Sequence, residues 1–163
     1  VSVLALILLA TSTVAQTPEK VSTARITSHS TYYDRKEGLI SFTGNVFVDD
    51  EEYKLHADRA YVFLEGTNDL KRVVALGNVA MTNGTRRAYG TKASYYRNPG
   101  MVVLYGSDDT LAEVYDGEGS NTRTVRGKKI KFWTVTGQIE VLESELTSPR
   151  QGGVSELKGM LGR

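Results

Sequence analysis

Apolar residues between positions 25 and 148 fall at alternate places over short stretches, and the stretches recur. In Leu39 to Thr43, Arg72 to Leu76, Met101 to Tyr105 and Gln138 to Leu142 the same two places are apolar each time. Ile40, Val73, Val102 and Ile139 form one column, and Phe42, Ala75, Leu104 and Val141 form another two residues on. The column between them, Ser41, Val74, Val103 and Glu140, is mixed. Side chains two apart share one face of a strand, so the alternation predicts strands whose apolar columns point inward. Turn-forming residues punctuate the chain at 36–38, 49–50, 66–68, 98–100, 117–119 and 136–137, and no window has helical periodicity. Asn83-Gly84, flanked by Val79, Met81 and Ala88, predicts a hairpin with a type I′ turn, which needs positive φ at both central positions.

The strands belong to a repeat. Gly44-Asn45-Val46 returns as Gly77-Asn78-Val79, and Leu55-His56-Ala57-Asp58-Arg59-Ala60 returns as Ala88-Tyr89-Gly90-Thr91-Lys92-Ala93, at one constant offset and without a gap. Weaker copies run from Ile26 to Tyr33 and from Val125 to Phe132. Within each long copy the apolar parity switches: Leu55 and Ala57, then Ala60 and Val62; Ala88 and Gly90, then Ala93 and Tyr95; Val125 and Gly127, then Ile130 and Phe132. One extra residue at the same place in every copy is what a β-bulge supplies, so the strands are expected to kink at one level, with the small residues Ala57, Gly90 and Gly127 beside the kink. A strand unit of this size cannot bury its apolar face alone, and the copies must stack. The pattern gives an all-β stack around a long apolar interior; it leaves open whether that interior is filled or hollow.

Composition narrows the function. The 163 residues suit one domain with a core. A net charge of +1 is far from the basic field that nucleic acid attracts, so no nucleic-acid partner is expected. Cysteine is absent, which removes disulfides, thiolate metal sites and thiol nucleophiles together. Residues 1–10 are almost wholly apolar, and Thr13 and Ala15 occupy the small-residue positions of a signal-peptidase site. The division expected is a signal peptide over 1–15, a flexible leader over 16–24, a β-domain over 25–148 and a mobile tail over 149–163, with the mature chain outside the cytoplasm.

Candidate chemistry is sparse. His29 and His56 are the two histidines, too few for a cupin-type metal centre and readable as solvated strand positions. Asp49-Asp50-Glu51-Glu52 lacks the spaced ligands of a calcium loop and reads as a hairpin tip. Arg86-Arg87 and Lys128-Lys129-Ile130-Lys131 with Trp133 are basic clusters that suit either anionic-group contacts or a solvated outer face. No Ser-His-Asp arrangement or carboxylate pair is identifiable, and there is no phosphate-loop signature, so neither catalysis nor a cofactor is expected and any driving energy comes from another protein.

The stretches Ile26 to Asp34, Phe42 to Val46, Leu55 to Ala60 and Ala75 to Val79, with their Gly-Asn-Val and Leu-x-Ala-Asp-x-Ala pieces in repeated order, resemble the OstA-like (LptA) family of lipopolysaccharide-transport proteins. The resemblance implies an open β-jellyroll with a hydrophobic groove that shields the acyl chains of lipid A in the periplasm. It also implies end-to-end homo-oligomers and partners among the inner- and outer-membrane transport components. On that basis the expected lipid-lining residues are Ile40, Phe42, Val46, Val48, Leu55, Ala60, Val73, Ala75, Val79, Met81, Ala93, Val102, Leu104, Ile130, Phe132, Ile139 and Val141. Exposing an acyl chain of about a dozen methylenes to water costs on the order of 10 kcal/mol, at roughly 0.8 kcal/mol each, so a continuous apolar trough is what passage between membranes requires. The rival reading is a solid-cored scaffold that polymerises through its strand edges and carries no lipid.

Overall fold

Alternation becomes strand wherever the sequence shows it. The computed structural model describes residues 25–49, 53–66 and 69–147; the expected signal peptide, leader and tail lie outside the described residues. Twelve strands follow one another: β1 (Arg25–Thr27), β2 (Ser30–Asp34), β3 (Leu39–Asp49), β4 (Lys54–Glu65), β5 (Asp69–Asn83), β6 (Arg86–Tyr96), β7 (Met101–Tyr105), β8 (Ala112–Asp116), β9 (Arg123–Gly127), β10 (Lys129–Trp133), β11 (Ile139–Leu142) and β12 (Glu145–Thr147). Every pairing is antiparallel. The main path runs β1-β3-β4-β5-β6-β7-β10-β11, while β2 adds to β3, β8 bridges β6 and β9, and β12 adds to β9.

The sheet folds on itself along one line. At Gly44-Asn45 two residues of β3 face Asp58 alone on β4, and the register slips again between Leu76 and Val79 at Gly77-Asn78. Both residues of each pair have positive φ: 82° and 48° at Gly44 and Asn45, 79° and 46° at Gly77 and Asn78. Glycine tolerates that region freely and asparagine better than most residues, which is why this dipeptide marks each corner. The corner lies at the expected level, but the extra residue sits on the Gly-Asn strand rather than on its Ala-Asp partner. Asp58 and Arg59 turn outward together while Ala57 and Ala60 stay buried, and this produces the parity switch. Side chains of the neighbouring strand cap the corners: Asn78 Nδ2 donates to Asp58 Oδ2 at 2.9 Å, and His56 Nε2 lies 2.8 Å from Asn45 Oδ1.

The corner divides the sheet into two facing layers. The first holds β1, residues 46–49, 54–57, 79–83 and 86–90, then β8, β9 and β12; the second holds β2, residues 39–43, 59–65, 69–76 and 92–96, then β7, β10 and β11. The weak repeat copies are long strands interrupted at the corner, as β1 with β2 and β9 with β10 show. The hairpin between β5 and β6 forms where expected, though its two loop residues are Gly84 and Thr85. Positive φ falls on Gly84, and Thr85 does not share it, the pattern of a type II′ turn rather than I′.

Candidate functional site

Strand register converts the sequence columns into continuous inward rows. In the second layer one row runs Ile40, Val62, Val73, Tyr95, Val102, Phe132, Ile139, and the row nearer the corner runs Phe42, Ala60, Ala75, Ala93, Leu104, Ile130, Val141. In the first layer the matching row is Ile26, Val48, Leu55, Met81, Ala88, Val114, Val125, Leu146. Burying Phe42, Val62, Leu104 and Ile130, the larger of these side chains that are closed off from solvent, stabilises the fold by roughly 1.5–3 kcal/mol each. No residue of these rows carries a charge.

The two ends of this interior differ. Phe42, Val46, Ala60 and Val62 are buried against one another, with Ile26, Ile40, Leu64, Leu70 and Val73 packed around them, so the N-terminal half is filled by its own side chains. Toward the C-terminal half a second buried cluster joins Ala57, Ala75, Val79, Ala93, Leu104, Ala112 and Ile130. Here short side chains dominate. Gly90 and Gly127 lie on the corner side, where an added Cβ on Gly90 would come within 2.7 Å of Leu104 and one on Gly127 within 2.5 Å of Val141. Away from the corner, Ala88, Val114 and Val125 face Val102, Leu104, Ile130 and Phe132 across a cavity of about 110 Å3. Ile139 and Met81 also line it, as do Tyr53, Thr82, Asn83, Arg86 and Thr134 toward its rim.

Of the lining residues expected from the sequence, the cavity gathers Met81, Val102, Leu104, Ile130, Phe132 and Ile139. Phe42, Val46, Ala60, Ala75, Val79 and Ala93 sit in the buried clusters, and Ile40, Leu55, Val73 and Val141 pack against them. Val48 stands half-buried in the first-layer row. Ala88, Val114 and Val125 line the cavity beyond the residues expected from the sequence, although each shares the alternation of its neighbours. Rim residues Thr82, Asn83 and Thr134 carry no apolar signal to find them by.

The basic clusters separate. Lys131 lies outward, 2.8 Å from Glu140, and Lys129 and Lys92 flank the Tyr105 ring at 5.4 and 5.1 Å. Arg87 is over Tyr115. Arg86 is different: it shares the inward face with Ala88, bonds Asp116 Oδ2 at 3.1 Å and places its guanidinium 5.2 Å from the centre of the Phe132 ring in the opposite layer.

Strand edges are unpaired at both extremities: among the described residues β1 and β2 bond only β3, β11 bonds only β10 and β12 bonds only β9. Apolar side chains stand exposed there, Tyr32 and Tyr33 at one end and Ile139, Leu142 and Leu146 at the other, 46%, 57% and 46% accessible respectively for the last three.

The fold and its interior define a class: an open antiparallel β-jellyroll around an apolar cavity. Residues 25–138 match the model of a family described as LptA/(LptD N-terminal domain) LPS transport protein, and the chain belongs to that family. A solved structure with the same fold is LptH, the LptA-homologous periplasmic component of the lipopolysaccharide transport device of Pseudomonas aeruginosa; at 20% identity it superimposes with a TM-score of 0.64 over 76% of this chain and 93% of that one. Among curated proteins, none matches by sequence.

Proposed function

We propose that this chain is a periplasmic carrier that shields the acyl chains of lipopolysaccharide in its apolar interior and, joined end to end, bridges the inner and outer membranes without catalysing a reaction. One observation carries the reading: the inward rows run from strand to strand without a charged residue, from β3 to the edge strand β11 in the second layer and from the edge strand β1 to the edge strand β12 in the first. Family membership supports it, since the matching family is one of lipopolysaccharide transport. Edge strands with exposed backbone recruit further strands, and a contact between unlike ends builds filaments rather than closed dimers. Inner- and outer-membrane transport components are the partners at the two ends of such a filament.

The present cavity is small. About 110 Å3 is less than the roughly 150 Å3 that holds a benzene molecule in an engineered protein core, so entry of an acyl chain requires the layers to part. The fold permits this. The layers are continuous along the corner, whereas at the opposite seam the backbone bonds of the strand tips, such as Leu64 to Gly38, Arg97 to Lys71 and Thr134 to Gly100, remain within their own layer. Opening there exposes apolar side chains that the acyl chain then covers.

The filled N-terminal half favours the rival, a scaffold that polymerises without lipid. A photo-crosslinking amino acid at Phe132, on the cavity wall, separates the two. With one at Lys129, on the outer face of the same strand, as control, labelling of lipopolysaccharide at Phe132 alone is the expected result. Equal labelling at both positions, or none at Phe132, would overturn the carrier.

A further inference from the structure

We propose that Arg86 is the headgroup-binding residue of the cavity, and that the ligand class it selects is a lipid bearing a phosphate group. The inference rests on the carrier reading and adds to it a residue and a chemical requirement. On the first layer, register aligns Asn83, Arg86, Asp116 and Arg123 in one row across β5, β6, β8 and β9. This is the row immediately beyond Met81, Ala88, Val114 and Val125 on the same face, so it forms the polar lip of the apolar wall. A ligand with its tail against that wall brings its head to these residues.

The charges of the lip are unbalanced. Two guanidiniums flank one carboxylate: Arg86 bonds Asp116 at 3.1 Å, while Arg123, opposite Asp116 in register, makes no ion pair with another described residue. Among the described residues of the lip, one positive charge is left over. Arg86 and Arg123 stand on strands two apart, about 10 Å between backbones, a gap that two arginine side chains readily close around one anion. A phosphate oxygen set accepts from both guanidiniums at once, which a single carboxylate does less well. Asp116 is therefore a competitor of the headgroup as well as the resting partner of Arg86.

Arg86 also spans the seam. Its guanidinium lies over Phe132 of the opposite layer, and this cation–ring contact crosses the open side of the jellyroll beside the cavity. Drawing Arg86 toward a phosphate removes that contact from the mouth that a tail must enter. Headgroup capture and parting of the layers are in this way one event. With Arg86 and Asp116 41% and 45% exposed, the exchange needs no burial of an unpaired charge.

Calorimetric titration of the full chain with decyl phosphate and with decanol, which differ only in the head, tests the assignment. The wild type is expected to bind decyl phosphate about tenfold or more tighter, the scale of one charge-assisted hydrogen bond. Arg86→Met should bring the ratio of the two affinities close to one, Arg86→Lys should keep part of the preference, and Asp116→Asn should enlarge it by removing the competing carboxylate. Equal affinity of the wild type for both probes, or a ratio unmoved in Arg86→Met, would overturn the assignment of Arg86 and leave the carrier standing. Binding of neither probe would overturn the carrier itself. Inorganic phosphate competing as effectively as decyl phosphate would show a site for the free ion and so sink the lipid requirement.

Discussion

Gly90 has no room for a methyl group. A Cβ there would lie 2.7 Å from both Leu104 Cδ1 and the Tyr105 carbonyl oxygen, and the carbonyl belongs to backbone that the β6–β7 pairing holds in place. Gly90→Ala should therefore destabilise the fold by about 1–3 kcal/mol, the usual range for overpacking, read as a lower urea midpoint with an unchanged slope. Beside the kink, then, the Leu104 side chain and the Tyr105 backbone of the neighbouring strand pack against the glycine. Gly44 and Gly77 answer a different need. There the backbone turns through positive φ, and at Gly77 the space a Cβ would occupy already holds the Asp58 carboxylate. Asn45 and Asn78 complete each corner by reaching the polar side chain of the next strand. The repeated Gly-Asn was visible in the sequence, but its cause was not, because parity on β3 and β5 passes through the bulge unchanged and the switch shows only on the partner strands.

At the scale of elements, the unpaired edges carry the proposed end-to-end association. β11 and β12 present Leu142 and Leu146 to solvent, and neither strand contains a proline or an inward charge to blunt it. Replacing Leu142, which faces outward on β11 beside Lys129, by glutamate should leave the melting temperature within a few degrees, since exposed substitutions seldom move stability by more than about 0.5 kcal/mol. On the proposed end-to-end association, the same variant should shift sedimentation toward the monomer. Unchanged sedimentation would place the contact elsewhere. The β5–β6 hairpin shows how local signals mislead by one residue. Asn83-Gly84 marks the turn, yet Asn83 pairs with Arg86 at the last rung of the ladder, and the loop needs only Gly84 in the left-handed region. That one-residue placement matters for Arg86, whose inward direction follows from sharing the face of Ala88 on the strand the turn begins.

For the molecule as a whole, the proposed carrier function depends on which part of the interior stays open. Val125→Phe adds a ring on the cavity side, where Val125 faces Ile130 and Phe132 across the gap. It should abolish lipid labelling from Phe132 while keeping or raising the melting temperature, because the added ring fills a void of about 110 Å3 instead of displacing packed atoms. Loss of fold together with loss of labelling would show that the cavity is not free to be filled.

Strands, their inward faces and the level of the corner were legible along the chain, since period-two alternation and a repeated parity slip are properties of neighbours in sequence. Alternation also placed Val102, Leu104, Ile130 and Phe132 on the inner face correctly. That Phe42 and Val46 are buried in a packed cluster while Phe132 lines a void emerges where the two layers meet. Hollowness is set by the summed lengths of side chains meeting from two layers, and nothing in a single strand records what faces it. The same reason separates Arg86 from Arg87: adjacent in the chain, they are divided by a pleat, and the ring that meets Arg86 arrives from a strand far along the sequence.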